Sequence, residues 1–429
     1  MEVRLIHIYQ LFCFFVVKKK QILYNKGMVK KGSLIDRIGD LANKTIAANK
    51  KRSKAAKKKT VSGKRKLKNF IKRKKVTSNT LEFGKHDGNP IITPQPYHSW
   101  ESKATFNPAA LYSEGKVHLL YRAIGDDDIS VLGYVSSGDA FSVDERQTFP
   151  AYIPPAQDGH FADRYSLTHI SSISYLSGGG GNGGCEDPRL VLIDDMVYMT
   201  YTAFDGWGSL RMALTSISIN DFLKKKWNWK KPVLISKPGE IHKNWVLFPE
   251  KVNGKYAILH CVCPDVLVEY FDDLDFENRE YIESCYRPRD GKQECWDNWI
   301  RGAGPPPIKT KEGWLLIYHA MDRRDPNRYK MGAMLLDINN PSKILYRTNK
   351  PFLEPDEWYE NEGLKAGVSY CCGAIVKDGE LIIYYGGADM VSCVAKANLD
   401  EFLDKMIQNV IPTMKHRKIK SKKLKTKRL

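Results

Sequence analysis

Residues 185–201 read CEDPRLVLIDDMVYMTY, and this stretch contains the pattern that decides the fold. An apolar run at 190–193 is followed by a turn signal, Asp194-Asp195, and then by a run at 197–201 in which aromatic and aliphatic residues alternate. Alternation with a period of two, bounded by turn residues, predicts two β-strands joined as a hairpin.

A glycine-rich segment, residues 178–184, comes immediately before this hairpin. Glycine loses the most backbone freedom on ordering, so the segment predicts a loop. Glu186, Asp187 and Arg189 therefore lie where a loop enters a strand, which is a common place for catalytic groups. A loop with a local Glu/Arg ion pair is the alternative interpretation.

The same strand–turn–strand pattern occurs five times, at intervals of roughly 60 to 80 residues. Its middle strands are predicted at 117–121, 197–201, 256–260, 314–318 and 381–385. A further strand precedes and another follows each of them, which is typical of radial β repeats. We therefore predict an all-β fold, a five-bladed β-propeller over residues 88–403, with the unusual residues that begin each first strand converging at one mouth of the central channel.

The formal charge of +19 comes from the two ends of the chain. Residues 18–75 contain 23 Lys and Arg against two acids, and residues 415–429 contain nine basic residues and no acid, which leaves −11 for the remainder. So much charge with so few apolar residues predicts that residues 1–80 form a largely disordered basic extension, and that 404–429 form a short helix and a basic tail. Such tails could bind nucleic acid or an anionic surface, or could remain solvated without a partner.

Nine cysteines, an odd number without regular spacing, favour a reducing compartment. The apolar segment 1–17 is short and precedes its positive cluster, which is the wrong order for a secretion signal, and Met28 is an alternative start. The sequence thus predicts a cytoplasmic protein. The aspartate runs at 126–128 and 272–273 lack companion ligands, so no metal or cofactor is predicted.

At this point the motifs indicate a family. From about residue 88 to residue 403 the chain resembles glycoside hydrolase family 130, the β-mannoside phosphorylases and related mannosidases built on a five-bladed propeller. The matching segments fall in all five repeats, in order: 107–109, 121–123, 184–189, 243–244 with 248–251, 302–307, 313–319, 335–337 and 384–389.

The resemblance implies inverting cleavage of a β-mannosidic bond by inorganic phosphate, giving mannose 1-phosphate, with Asp187 as the proton donor. A carboxyl held partly dry can stay protonated near neutral pH and so serve as the acid. The implied partners are a β-mannoside oligosaccharide or glycoside and phosphate as co-substrate, and an oligomer is left open. The implied substrate-binding residues are Asn107, Arg122, Glu186, Arg189 and Asp389, and the implied phosphate-binding residues are Lys243, Arg301, His319 and Tyr329.

Two positions depart from the family pattern. Lys243 stands where phosphorylases usually carry arginine, and the third repeat has His260-Cys261 where a His-Arg pair is expected. Lysine binds phosphate as a point charge without bidentate geometry, and a neutral thiol adds no charge. Phosphorolysis, hydrolysis and loss of catalysis therefore all remain open, and a hydrolase would need a base, with Glu362 or Asp265 as first candidates.

Other interpretations of single residues and of the whole chain also stay open. Arg122 could instead form a structural ion pair that closes a blade, and Asp389 could be a residue that caps a turn. Four tryptophans could stack on sugar faces or fill the space between blades: Trp207, Trp245, Trp296 and Trp299. The chain could also be a non-catalytic scaffold tethered by its tails, or a furanosidase-type propeller glycosidase.

Overall fold

The structure, a computed structural model, describes residues 84–154, 181–204, 210–276, 281–284 and 295–407. The chain divides into two units, Met1–Asn79 and Thr80–Leu429, and every described residue belongs to the second. The predictions for the basic segment 1–80, for the tail after residue 407 and for Trp207 fall outside the described residues.

About half of the described residues lie in β-strands and few lie in helices, which confirms the all-β class. The first sheet comprises β2 (Ala104–Ser113), β3 (Lys116–Ile124), β4 (Ile129–Ser137), β5 (Glu145–Arg146), β6 (Gly183–Ile193), β7 (Met196–Phe204), β8 (Leu210–Ser218) and β9 (Val233–Leu234). The second comprises β10 (Val246–Leu247), β11 (Tyr256–Cys261) and β12 (Leu267–Phe271). The third comprises β13 (Trp299–Ala303), β14 (Ile308–Lys309), β15 (Trp314–Asp322), β16 (Asp325–Leu336) and β17 (Ile344–Arg347). The fourth comprises β1 (Gly84–Lys85), β18 (Ser369–Lys377), β19 (Glu380–Gly387) and β20 (Val391–Asn398).

All five predicted middle strands are strands, namely β3, β7, β11, β15 and β19, and each has an antiparallel partner on both sides. The five repeats fall in four hydrogen-bonded sheets because β4 and β6 pair in parallel at Ile129–Gly183 and Ser130–Gly184. The first strand of the described residues, β1, pairs with the last, β20, so the two ends of the described chain share one sheet.

Helices are short in the described ranges. They are α1 (Ile219–Leu223), a 3₁₀ turn (Trp358–Glu360) and α2 (Leu399–Ile407), which begins five residues before the helix predicted within 404–429. Helix α1 begins where Ser218 accepts a hydrogen bond from the Asp221 N–H, a side-chain cap that compensates for unmade helical bonds. None of these helices has the length and apolar character required to span a bilayer.

The hydrophobic core consists of five main clusters, and each joins two repeats. Members taken from the two sides of each cluster are Leu119 and Ile382, Leu120 and Met199, Leu214 and Ile258, Leu259 and Leu316, and Ile317 and Ile383. These clusters join the first repeat to the fifth, the first to the second, the second to the third, the third to the fourth and the fourth to the fifth. Burial of each such aliphatic side chain contributes about 1.5–3 kcal/mol, so the contacts between repeats stabilise the fold.

A tyrosine in the middle strand of three repeats binds a buried carboxylate that precedes the first strand. The pairs are Tyr121 with Glu101 (2.6 Å), Tyr318 with Asp297 (2.7 Å) and Tyr385 with Glu360 (2.9 Å). A cation completes each group: Arg146, Arg347 and Lys85, respectively. A buried carboxylate requires such partners because desolvation without them is costly. Three of the repeats therefore share the same buried polar group.

Candidate active site

The first strands β2, β6 and β13 carry β-bulges. In β2 the register with β3 skips residues 107 and 108, in β6 the register with β7 skips 187 and 188, and in β13 the register with β15 skips 301. Asn107 and Asp187 have φ values of 51° and 50°, in the left-handed region that Asn and Asp enter more readily than most residues. A bulge turns a side chain away from the regular alternation of the strand, and it is frequent beside active sites.

The three bulges aim Asn107, Asp187 and Arg301 into one cavity of about 600 Å³. Seven of the ten predicted site residues line this cavity: Asn107, Arg122, Asp187, Lys243, Arg301, Tyr329 and Asp389. Glu186, Arg189 and His319 do not line it. The convergence of residues more than 250 positions apart in sequence is a product of the fold.

Asp187 is held by two neighbours from the first repeat. Its Oδ1 accepts a hydrogen bond of 2.7 Å from Asn107 Nδ2 and lies 3.5 Å from Arg122 Nη1. Asn107 Oδ1 is buried and has no hydrogen-bond donor among the described residues. Asn107 and Arg122 therefore orient the ionisable carboxyl of Asp187 in the cavity.

Glu186 lies behind the cavity wall and pairs with two of the lining cations. Its carboxylate is completely buried and lies 3.2 Å from Arg122 Nη2 and 3.2 Å from Lys243 Nζ. The placement suits Glu186 for orienting Arg122 and Lys243 and not for contacting a ligand directly.

The two adjacent carboxyls have opposite pKa shifts. Burial opposes ionisation of Asp187, but the charges of Arg122, Arg189 and Lys243 outweigh it and hold the pKa of Asp187 below its usual value. Burial raises the pKa of Glu186, and Arg122 and Lys243 offset only part of this effect. The expectation that dryness keeps Asp187 protonated is therefore not met in the unliganded protein, because three cations stabilise its ionised form.

Arg189 ties the second repeat to the third and fourth. Its guanidinium donates to the Gly304 carbonyl (2.9 Å), to the Asp187 carbonyl (2.6 Å) and to Asn244 Oδ1 (2.9 Å). Asn244 Oδ1 also accepts a hydrogen bond of 2.5 Å from the Tyr370 hydroxyl. Arg189 thus fixes the backbone of Asp187 from behind the cavity, whereas the resemblance implied a contact with substrate.

His319 is buried behind the cavity in a neutral form. Its Nε2 accepts a hydrogen bond of 2.9 Å from the Cys371 N–H, and its ring stacks on Tyr370 at 3.8 Å between centroids. Burial, followed by the nearby charge of Arg189, lowers the pKa of His319 to about 3. A neutral imidazole with one nitrogen already occupied supplies no positive charge to an anion in the cavity.

The remaining predicted anion-binding residues come from the third and fourth repeats. Lys243 precedes β10, Arg301 lies on β13 and Tyr329 lies on β16. The Arg301 guanidinium lies 4.8 Å from the centroid of the Trp299 ring, which also lines the cavity. Trp245 and Trp296 instead pack in or against the cores between repeats.

Three candidates named from sequence lie elsewhere. Cys261 is buried on β11, donates from Sγ to the Cys263 carbonyl at 3.1 Å, and is not a lining residue. Glu362 and Asp265 are exposed and do not line the cavity. Neither residue is therefore placed to act as the catalytic base that hydrolysis would need.

Sequence reasoning missed Asn244, Tyr370 and Lys365, which all line the cavity. Asn244 could have been found, because it is a polar residue near the beginning of a first strand, like Asn107 and Asp187, and it too has a positive φ of 64°. Lys365 lies in a loop of ordinary polar composition and gave no signal.

In this mainly β fold, carboxylates, an amide and guanidinium groups surround one cavity, a set of groups that suits hydrogen bonding to sugar hydroxyls and acid catalysis at a glycosidic bond. The chain belongs to glycoside hydrolase family 130: the family model described as beta-1,4-mannooligosaccharide phosphorylase matches residues 172–408.

Relatives of known name share most of the chain. It is 37% identical over 318 residues to a 1,2-beta-oligomannan phosphorylase of Thermoanaerobacter sp. (strain X514), covering 71% of this chain and 94% of that protein. It is 33% identical over 303 residues to a beta-1,2-mannobiose phosphorylase of the same organism, covering 70% and 92%. Among solved structures, the beta-1,2-mannobiose phosphorylase of Listeria innocua in complex with beta-1,2-mannobiose superposes with a TM-score of 0.58 at 25% identity, covering 76% and 99%.

Proposed function

We propose that the chain is an inverting β-mannoside phosphorylase with Asp187 as the proton donor. A phosphate oxygen forms a bond to the anomeric carbon while the bond from that carbon to the glycosidic oxygen breaks. The leaving oxygen takes the proton of Asp187, and the products are mannose 1-phosphate and a saccharide shortened by one mannose. Phosphate is already a nucleophile, so this reaction needs no second carboxylate as base.

The observation that carries the proposal is that Asp187 and the predicted phosphate-binding residues come from different repeats around the cavity. Asn107, Arg122, Asp187 and Asp389 come from the first, second and fifth repeats, whereas Lys243, Arg301 and Tyr329 come from the third and fourth. The hydrophobic clusters make each of these two sets contiguous, so the two sets lie on different arcs of the cavity wall. Inversion requires the acid and the nucleophile on opposite faces of the sugar, and this distribution supports that requirement.

The low pKa of Asp187 fits this function if phosphate and sugar bind before the proton is transferred. A phosphate dianion near Lys243 and Arg301 offsets part of the positive charge that keeps Asp187 ionised. A like charge disfavours the ionised carboxyl, and a bound sugar removes water from it. Both effects raise the pKa of Asp187, so the complex takes up the proton that the free protein lacks.

The linkage we propose for the substrate is β-1,2. The relatives at 37% and 33% identity are both named for this linkage, whereas the family model is described by the β-1,4 linkage. The first experiment therefore compares β-1,2-mannobiose with β-1,4-mannobiose, each with and without phosphate. We expect phosphate-dependent release of mannose 1-phosphate from the β-1,2 disaccharide. Release of free mannose at a rate indifferent to phosphate would show a hydrolase instead.

We also propose that the repeats are the blades of a five-bladed β-propeller. Each repeat shares a hydrophobic cluster with the next, and the first shares one with the fifth, which supports a closed ring. The pairing of β1 with β20 adds a strand from the beginning of the described residues to the last sheet. A closed ring leaves short, protected sheet edges and places the first strands around one central cavity.

A further inference from the structure

The cations of the cavity differ in how they are neutralised. Arg122 pairs with Glu186 and Asp187, and Lys243 pairs with Glu186. Lys365 also lines the cavity, but no carboxylate among the described residues lies within ion-pair distance of its ammonium group. Its Nζ instead lies 4.6 Å from the centroid of the ring of Tyr329, which is one of the predicted phosphate-binding residues. The cavity therefore holds a positive charge that its own acids do not compensate.

Backbone hydrogen bonds hold the loop that carries Lys365 at this residue and at Gly367. The Lys365 N–H donates to the Ala388 carbonyl at 2.9 Å, and the Gly367 carbonyl accepts from the Tyr329 N–H at 2.8 Å. Gly367 has a φ of +80°, and a Cβ there would lie 2.4 Å from the Asn327 carbonyl oxygen, so only glycine permits this close approach. These contacts hold the Lys365 backbone beside Tyr329 while the side chain remains exposed.

We propose that Lys365 is a further phosphate-binding residue, which acts together with Tyr329 and Arg301. The inference rests on the proposed phosphorolysis and adds to it a residue that the family resemblance did not supply. Two of the expected phosphate contacts are missing. His319 is neutral and accepts a hydrogen bond from Cys371, and Cys261, which stands where the family pattern has an arginine, does not line the cavity. An ammonium group binds phosphate through charge-assisted hydrogen bonds, and Lys365 supplies one from a different repeat.

The test compares Lys365→Met with Lys365→Arg and with Lys350→Met, a control at another exposed lysine that does not line the cavity. We expect Lys365→Met to raise the KM for phosphate about tenfold, from loss of a charge-assisted hydrogen bond on a partly solvated side chain. The KM for β-1,2-mannobiose at saturating phosphate should change less than twofold. Lys365→Arg should restore most of the phosphate affinity, and Lys350→Met should behave as the wild type.

Two results would overturn the role of Lys365. One is a KM for phosphate within twofold of the wild type, and the other is a rise in the KM for the mannoside alone, which would place Lys365 against the leaving sugar. An equal rise of the KM for phosphate in Lys350→Met would show that the effect comes from the net charge of the protein and not from a contact of Lys365 with phosphate.

Calorimetric titration with inorganic phosphate separates this inference from the proposed function. If the wild type lacks phosphorolysis but binds phosphate at least fivefold more tightly than Lys365→Met does, the function fails and the site stands. If the wild type is a phosphorylase and both proteins bind phosphate equally, the function stands and the site fails.

Discussion

Asp187 and Glu186 show how much two adjacent residues of similar chemistry can differ. Alternation along β6 points their side chains in different directions, and the bulge at Asp187 turns its carboxyl into the cavity. Glu186 remains behind the wall, where it neutralises Arg122 and Lys243. One carboxyl is thereby available to a ligand, and the other sets the charge and position of its neighbours.

The first prediction at the residue scale is that Asp187→Asn lowers turnover by a factor of about 10² to 10⁴. The amide keeps the size and most of the hydrogen bonding of the carboxyl but cannot donate its proton in the same way. Initial rates of mannose 1-phosphate release measure the loss, and the circular dichroism spectrum and melting temperature check that the fold is retained. A variant with more than about a tenth of the wild-type rate would show that the acid is another residue, and Asp389, which also lines the cavity, would be tested next.

The second residue-scale prediction concerns pH. The pKa of His319 is about 3 in the folded protein, whereas an unfolded histidine titrates near 6.5, so the unfolded state binds the extra proton first. Protonation of His319 therefore costs the folded protein no unfolding free energy above pH 6.5. As the pH falls from 6.5 toward 3, the unfolding free energy decreases by about 1.4 kcal/mol per pH unit.

Between pH 7 and pH 5, the wild type should therefore lose about 2 kcal/mol more unfolding free energy than His319→Asn, which has no group that titrates there. Denaturant unfolding at the two pH values provides the comparison. Equal losses in the two proteins would mean that His319 titrates normally in the folded state.

At the scale of elements, the parallel pairing of β4 with β6 joins the first two repeats beside the active site. Gly184 has a φ of +103°, and a Cβ at this position would lie 2.1 Å from the Ser130 carbonyl oxygen. The backbone of β6 can approach β4 this closely only without a side chain, and Asp187 follows three residues later. The glycine therefore has a packing role as well as a conformational one.

We predict that Gly184→Ala destabilises the protein by at least about 2 kcal/mol more than Gly379→Ala does. Gly379 also has a positive φ, +75°, but a Cβ there would meet nothing within 4 Å, so it controls for backbone strain alone. Denaturation midpoints of the two variants give the difference. Equal destabilisation would show that β4 and β6 can separate without cost.

At the scale of the whole molecule, Lys85 joins the beginning of the described chain to its last repeat. Lys85 lies on β1, its ammonium group contacts Glu360 Oε2 at 2.5 Å and also pairs with Asp356, and its side chain is almost fully buried. Glu360 in turn accepts a hydrogen bond from Tyr385. Removing the lysine would leave a buried carboxylate without its counter-ion.

Lys85→Met should lower the unfolding free energy by about 3–5 kcal/mol, because a buried charge loses its partner. Lys309→Met is the matched control, since Lys309 pairs with Glu250 on the surface and such pairs contribute at most about 1 kcal/mol. Urea unfolding measures both. A loss below 1 kcal/mol for Lys85→Met would show that β1 does not help to hold the last repeat.

Much of the fold could be read from local pattern. All five middle strands were predicted correctly, because alternating aromatic and aliphatic residues that follow a turn signal are typical of β-strands. Seven of the ten predicted site residues line the cavity, and each of the seven came from the resemblance or from an unusual residue at the start of a strand. The sequence also predicted basic segments at both ends, and this prediction is untested because the segments lie outside the described residues.

The sequence by itself determined the strands, the number of repeats and the identity of Asp187 as the residue to test, since these follow from short-range periodicity and from motifs. Only the tertiary structure decided which side chains reach the cavity. Bulges turned Asn107, Asp187 and Arg301 inward, while packing between repeats kept Glu186, Arg189 and His319 behind the wall. It also brought Lys365 beside Tyr329 and gathered three cations around Asp187. Burial and charge at a site depend on residues far apart in the chain, and no local pattern encodes them.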